Sequence, residues 1–165
     1  MQAVAGRLGV TPMALYRHVD GKADLLDGLV ELLLTRLPRL PDDLAWPDRL
    51  GGLAHGLRAA AARHPAVFPL LLQRPARTAA AVAVRVAAVA ALEDAGLSPA
   101  EAARAERLMS TAVLGFAASE AAGRFAHHDK AVLDGDFDCL LDALDATVRA
   151  RADLAPQYAA RHASP

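Results

Sequence analysis

A chain of 165 residues suits one ordinary domain or two small ones, and that length can bury roughly two-thirds of its unfolded surface. Its 18 basic and 19 acidic residues leave a net charge of −1, so it is not a globally basic nucleic-acid binder and any such site must be a local patch. The single cysteine, Cys139, excludes an intrachain disulfide framework and suits a reducing compartment. No basic segment leads into an apolar signal core at the start, and no unbroken apolar run reaches the roughly 20 residues that cross a bilayer. A cytoplasmic chain without a membrane span is expected. The apolar fraction of 54% comes mainly from Ala, Leu and Val, with 4% aromatic, and predicts an all-α fold because Ala and Leu are strong helix formers.

Punctuation residues divide the chain into helices. The first runs from about Gln2 to Leu8 and stops at Gly9. Thr11 reads as an N-cap whose hydroxyl accepts from a free amide of the next turn, with Pro12 at the first helical position, where no donor is needed. A second short helix reaches about Val19, and after the Asp20-Gly21 turn a longer one spans Ala23 to Leu37. Pro38 and Pro41 end it, so 38–47 is the expected linker between a head over 1–37 and a helical regulatory and dimerisation domain over 48–156. Within that domain the pattern predicts helices over Pro47–Arg63, Ala66–Gln73 and Pro75–Ala95. Ser98-Pro99-Ala100-Glu101 reads as a capping box opening a helix to about Ala126. After a loop over His127–Gly135, a last amphipathic helix is expected over Phe137–Leu154, followed by a frayed tail over 157–165.

Chemistry concentrates near the start. Two short helices joined by a tight turn at Gly9 form the geometry that sets one helix in a major groove while the other braces it. Val4 and Leu8, then Leu15 and Val19, are spaced so that each helix presents one apolar stripe inward. Pro12, Met13, Ala14 and Arg17 are then expected to face bases. Arg17 can donate bidentately to a guanine edge, whereas Met13 and Ala14 offer only apolar contact. Tyr16, His18 and Lys22 can donate to phosphates.

At Leu8-Gly9-Val10, Leu15-Tyr16-x-His18-Val19-x-x-Lys22 and Leu25-Leu26 the chain resembles the TetR family of one-component repressors. The match covers about the first 37 residues. The resemblance implies a ligand-responsive repressor that binds palindromic operator DNA as a homodimer through Thr11, Pro12, Met13, Ala14, Tyr16, Arg17, His18 and Lys22. It also implies that a longer helix precedes the helix-turn-helix pair. Met1 falls where the second helix of that head would begin, so the head reads as incomplete and weak operator binding is expected.

In the regulatory domain, Arg85 stands in an apolar helix and must reach water, a partner or a ligand. Its commonest fate is snorkelling to water or a salt bridge. His55, Arg58, Thr111 and Phe116 are candidates to share a cavity with it, suited to a small, mainly apolar ligand. Dimerisation is expected through the last two long helices. Small residues at Ala112, Gly115, Ala118, Ala122 and Gly123 permit close approach, and Phe137, Leu140, Leu141, Leu144 and Val148 form the facing stripe. His127-His128-Asp129 and Asp134 to Asp138 cluster potential metal ligands, but Cys139 stands where a calcium loop needs glycine, and Asp134 to Asp138 more simply supply a cap and an acidic first turn. Neither a metal nor a cofactor is implied, and no nucleophile elbow, phosphate-cradling loop or zinc-protease motif points to an enzyme. The runner-up reading is a helical ligand-binding dimer without effective DNA binding, and the third is a small helical enzyme.

Overall fold

In the computed structural model, residues 1–41, 43–74 and 77–162 are described, with side chains described as far as Leu154. Every element among them is a helix: α1 Gln2–Leu8, α2 Pro12–Tyr16, α3 Lys22–Thr35, α4 Trp46–Arg63, α5 Leu70–Gln73, α6 Ala79–Asp94, α7 Pro99–Ala121 and α8 Lys130–His162. No helix is long and apolar enough to cross a membrane among the described residues. The helices α4, α6 and α7 pack on one another, α3 lies along α6, and α5 bridges α3 and α7.

Local signals account for most boundaries. Ala14 N donates to Thr11 Oγ1 at 3.2 Å with Pro12 in the first turn. Ala81 N donates to Thr78 Oγ1 at 3.3 Å, so α6 begins at Ala79; the expected start at Pro75 lies outside the described residues. Ser98 and Glu101 form the reciprocal capping box that opens α7.

Several expectations need correction. The second head helix ends at Tyr16, with Val19 beyond it and half-buried. Leu8 is 62% exposed and Ala5 is the buried residue of α1, because a seven-residue helix turns only its middle toward α2 and leaves its last turn in solvent. The 66–73 helix shortens to Leu70–Gln73, since Pro65 and Pro69 each withhold a donor from the preceding turns. The last helix begins at Lys130, not Phe137. There Val132 N and Leu133 N donate to Asp129 O, and Lys130 pairs with Asp134 four positions on, so Asp134 to Asp138 lie inside the helix and do not cap it. The same helix continues to His162 through most of the expected tail, and 163–165 lie outside the described residues. Pro38, at the start of the expected linker, lies against α4. Gly56 on α4 is buried, and a Cβ there would sit 3.1 Å from Pro38 Cδ, so the glycine is what admits the chain to the α4 surface.

The core divides into two clusters. One gathers Leu33, Leu34, Leu57, Phe68, Val113 and Phe137, and the other Leu92, Leu97, Ala102 and Val148 with Trp46, Leu50 and Met109. Phe137 and Val148 are therefore buried within the subunit, and Leu140, Leu141 and Leu144 pack against the first cluster. That stripe of α8 is not a free dimer face, because α8 needs it to seat on α4 and α7.

Candidate nucleic-acid interface and ligand cavity

The head is built on one turn. Gly9 adopts φ 67°, ψ 25°, a left-handed conformation that suits glycine, which lacks a Cβ. Gly9 N and Val10 N then donate back to Gly6 O and Ala5 O, closing α1 and redirecting the chain toward Thr11. Leu15 is the buried anchor of α2. Thr11, Pro12, Met13, Tyr16, Arg17, His18 and Lys22 are all exposed, and Ala14 is half-buried. Met13 is 71% and Tyr16 50% exposed, so two apolar groups stand in water beside Arg17.

From this head α3 runs into the body, where two polar ties hold it. Arg74 Nε donates to Asp27 Oδ1 at 2.6 Å and Arg74 Nη2 to Ala23 O at 3.0 Å. Ala80 N, at the start of α6, donates to Glu31 Oε2 at 2.9 Å. The Arg74 guanidinium, chiefly through that hydrogen bond, holds the Asp27 carboxyl below its ordinary value of 3.8 despite some opposing desolvation. A carboxylate depressed in the fold contributes stability that is complete above the unfolded value, about 3.9, and lost as pH falls through the lower folded value. Thermal stability should thus hold from about pH 7 to 5 and decline below about 4. Asp134, paired with Lys130 and Arg58, and Glu101, held by Ser98, are depressed in the same direction. Asp27→Asn should consequently remove a share of the acid slope and leave the rest, as read from melts across that range; an unchanged slope would show that the tie is absent in solution.

Between the two core clusters lies a cavity of about 500 Å³. Its walls come from α4 (Leu50, Ala54, Leu57), α6 (Val84, Ala88, Leu92), α7 (Met109, Val113, Leu114) and α8 (Leu141), with Leu34 of α3 and Leu71 of α5 closing one side. The gap follows from the α6 sequence. Of the α6 residues on the wall, Ala81 and Ala88 bring little side-chain volume to it.

The structure separates the five expected ligand residues. Arg85 and Thr111 line the cavity; His55, Arg58 and Phe116 do not. Arg58 is instead paired through Nε with Glu120 Oε2 at 2.6 Å and through Nη2 with Asp134 Oδ1 at 2.9 Å, with its guanidinium 4.8 Å from the Phe137 ring centroid. Phe116 packs on Phe137 with ring centroids 5.2 Å apart and the planes tilted by 50°, and His55 meets the same ring edge-on at 5.3 Å while lying 3.7 Å from Asp138. Helix phase explains the division, since His55 and Arg58 project from α4 toward α8, whereas Leu50, Ala54 and Leu57 turn toward α6. Polar cavity residues that the sequence reading passed over are Asp48, Glu106, Ser110, Asp142 and Asp145. For Glu106 a signal existed. Ala102, Glu106, Met109, Val113 and Ala117 recur at helical spacing, so one carboxylate occupies the inward stripe of α7.

A turn-linked helix pair carried by one long helix on a cavity-bearing helical body defines a helix-turn-helix regulator fold. Residues 37–148 match the family described as tetracyclin repressor-like, C-terminal domain. A curated relative, the HTH-type transcriptional repressor DrrR1 of Streptomyces coeruleorubidus, is 30% identical over 143 residues, which is 83% of this chain; the chain spans about half, 52%, of that relative. Among solved structures, Mycobacterium smegmatis BioQ aligns with a TM-score of 0.77 at 26% identity, over 89% of this chain and 84% of that one. BioQ with its double-stranded DNA operator aligns with a TM-score of 0.70 at 28% identity, over 88% and 84%. A TetR variant from Acinetobacter baumannii AYE in complex with minocycline gives 0.72 at 28%, over 88% and 82%. The chain belongs to the TetR family.

Proposed function

We propose that this protein is a ligand-responsive transcriptional repressor, not an enzyme, acting in the cytoplasm as a homodimer on palindromic operator DNA. The observation that carries the reading is the route from cavity to head: Leu34 lines the cavity and belongs to α3, whose first residue, Lys22, is an exposed head cation. A ligand that displaces the cavity wall thus acts on the helix that aims the head, and controls DNA binding to the extent that it prefers one position of α3. The relatives support both ends of this route, one having been captured with operator DNA and another with minocycline.

In the head, Arg17 reads a base edge, with Pro12, Met13 and Ala14 making apolar contacts and Thr11, Tyr16, His18 and Lys22 anchoring phosphates. Arg17→Ala should cost about 1–3 kcal/mol and relax preference at one base pair, while Lys22→Ala should weaken all sequences alike and flatten the salt slope by about one. Gel shifts of the protein's own promoter region against scrambled DNA, repeated across salt concentrations, test the assignment. Sequence-blind losses of equal size for both variants would refute it, and no retention of any DNA would favour the ligand-binding dimer without DNA binding.

A further inference from the structure

We propose that the cavity selects a hydrophobic cation, an aromatic or aliphatic body bearing an amine or quaternary ammonium, with Glu106 as the group that meets the positive charge. The inference rests on the reading of the cavity as a ligand site and adds the chemical class of the ligand.

Glu106 projects from the inward stripe of α7, and its side chain is only 12% exposed. Arg85 on α6 forms a loose ion pair with it, Nε lying 3.6 Å from Glu106 Oε2, beyond hydrogen-bond reach. Arg85 is itself 54% exposed, so much of its charge is spent on water. Among the described residues Glu106 thus has a loose ion pair but no hydrogen-bond donor, and a ligand cation places a second opposite charge beside its carboxylate.

The rest of the lining has the same sign. Asp48, Asp142 and Asp145 join Glu106, and among the described residues Arg85 is the only basic group on the wall. Asp145 is shared with Arg149 at 3.2 Å, whereas Asp48 and Asp142 are exposed and have no ion-pair partner among the described residues. With Asp145 paired to Arg149 and Glu106 beside Arg85, Asp48 and Asp142 leave the wall with an excess of negative charge that favours cations over anions, the more so because the rest of the lining is mainly Leu, Val, Ala and Met. The apolar walls supply most of the affinity for the ligand body, and the carboxylates supply the choice of charge.

Three probes sharing one ring system separate these contributions: anthracenylmethyl-trimethylammonium, anthracenylmethanol and anthracene carboxylate. Binding to the purified full chain is followed through anthracene fluorescence. The cation should bind about 10- to 100-fold more tightly than the alcohol, as an ion pair beside apolar walls allows, and the carboxylate more weakly than either. Glu106→Gln, which keeps the side-chain volume, should abolish the preference for the cation over the alcohol, and Arg85→Ala should strengthen cation binding. Asp142→Asn should have a smaller effect because its charge is exposed to water. Equal affinity for cation and alcohol, or preference for the carboxylate, would overturn the charge assignment and leave the cavity as a ligand site. Failure of all three probes to bind would overturn the cavity reading together with it.

Discussion

Replacing Phe137 with alanine should lower subunit stability by about 3–5 kcal/mol, the range for truncating a buried phenylalanine when the surroundings cannot collapse into the space. The ring is fully buried and joins three elements, touching Phe116 of α7 at 5.2 Å, His55 of α4 at 5.3 Å and the Arg58 guanidinium at 4.8 Å. Arg58 is in turn fixed by Glu120 and Asp134, so the polar network cannot follow the ring into the vacancy without breaking its ion pairs. For a chain of this length the loss corresponds to a melting temperature lower by roughly 6–20 °C. Phe137→Leu, closer in volume, should cost about 1.5 kcal/mol or less. Urea unfolding of both variants measures the difference, and a loss below about 1 kcal/mol for alanine would show that α8 is seated by other contacts.

The second large effect concerns assembly. The buried stripe of α8 through Phe137, Leu144 and Val148 leaves the opposite stripe exposed, and Val132, Gly135, Cys139, Ala143, Ala146 and Ala150 recur along it at spacings of three and four. Residues this small permit close approach of a second helix, and such a face closes on itself about a two-fold axis. Ala143→Arg should convert the proposed dimer to a monomer at micromolar concentration, because it places a large cation in the contact while touching nothing in its own core. Leu144→Arg, one residue along, should instead destabilise the subunit, since Leu144 packs against the first core cluster. Sedimentation and urea unfolding of the two variants separate the effects. A dimeric Ala143→Arg protein would place the interface elsewhere.

The polar network around Arg58 shows why this stripe was misassigned from sequence. Phe137, Leu140, Leu141, Leu144 and Val148 are as apolar as a dimer seam, and periodicity identifies the face that is buried without identifying what buries it. Only the placement of α8 against α4 and α7 shows that the partner is the same chain. The mixed fate of the candidate ligand residues has the same origin. His55 and Arg58 share a helix with the cavity residues Ala54 and Leu57, yet the step of about 100° to the next residue takes each to the adjoining face, toward Glu120, Asp134 and Asp138.

The sequence alone determined whatever depends on neighbours along the chain. The Gly9 turn, the Thr11 and Ser98 caps, the proline breaks and the motif from Leu15 to Lys22 each act within a few residues through backbone geometry or a single hydrogen bond, and they sufficed for the all-helical class, the head and the family. Tertiary structure decided what depends on residues far apart in the chain: the pairing of Arg58 with Glu120 and Asp134, the tie of Arg74 to Asp27, and the cavity between the two core clusters. A cavity is set by the volume that several helices together fail to fill, and a charge partner is set by how those helices are rotated. Neither quantity is written in any one segment of the chain.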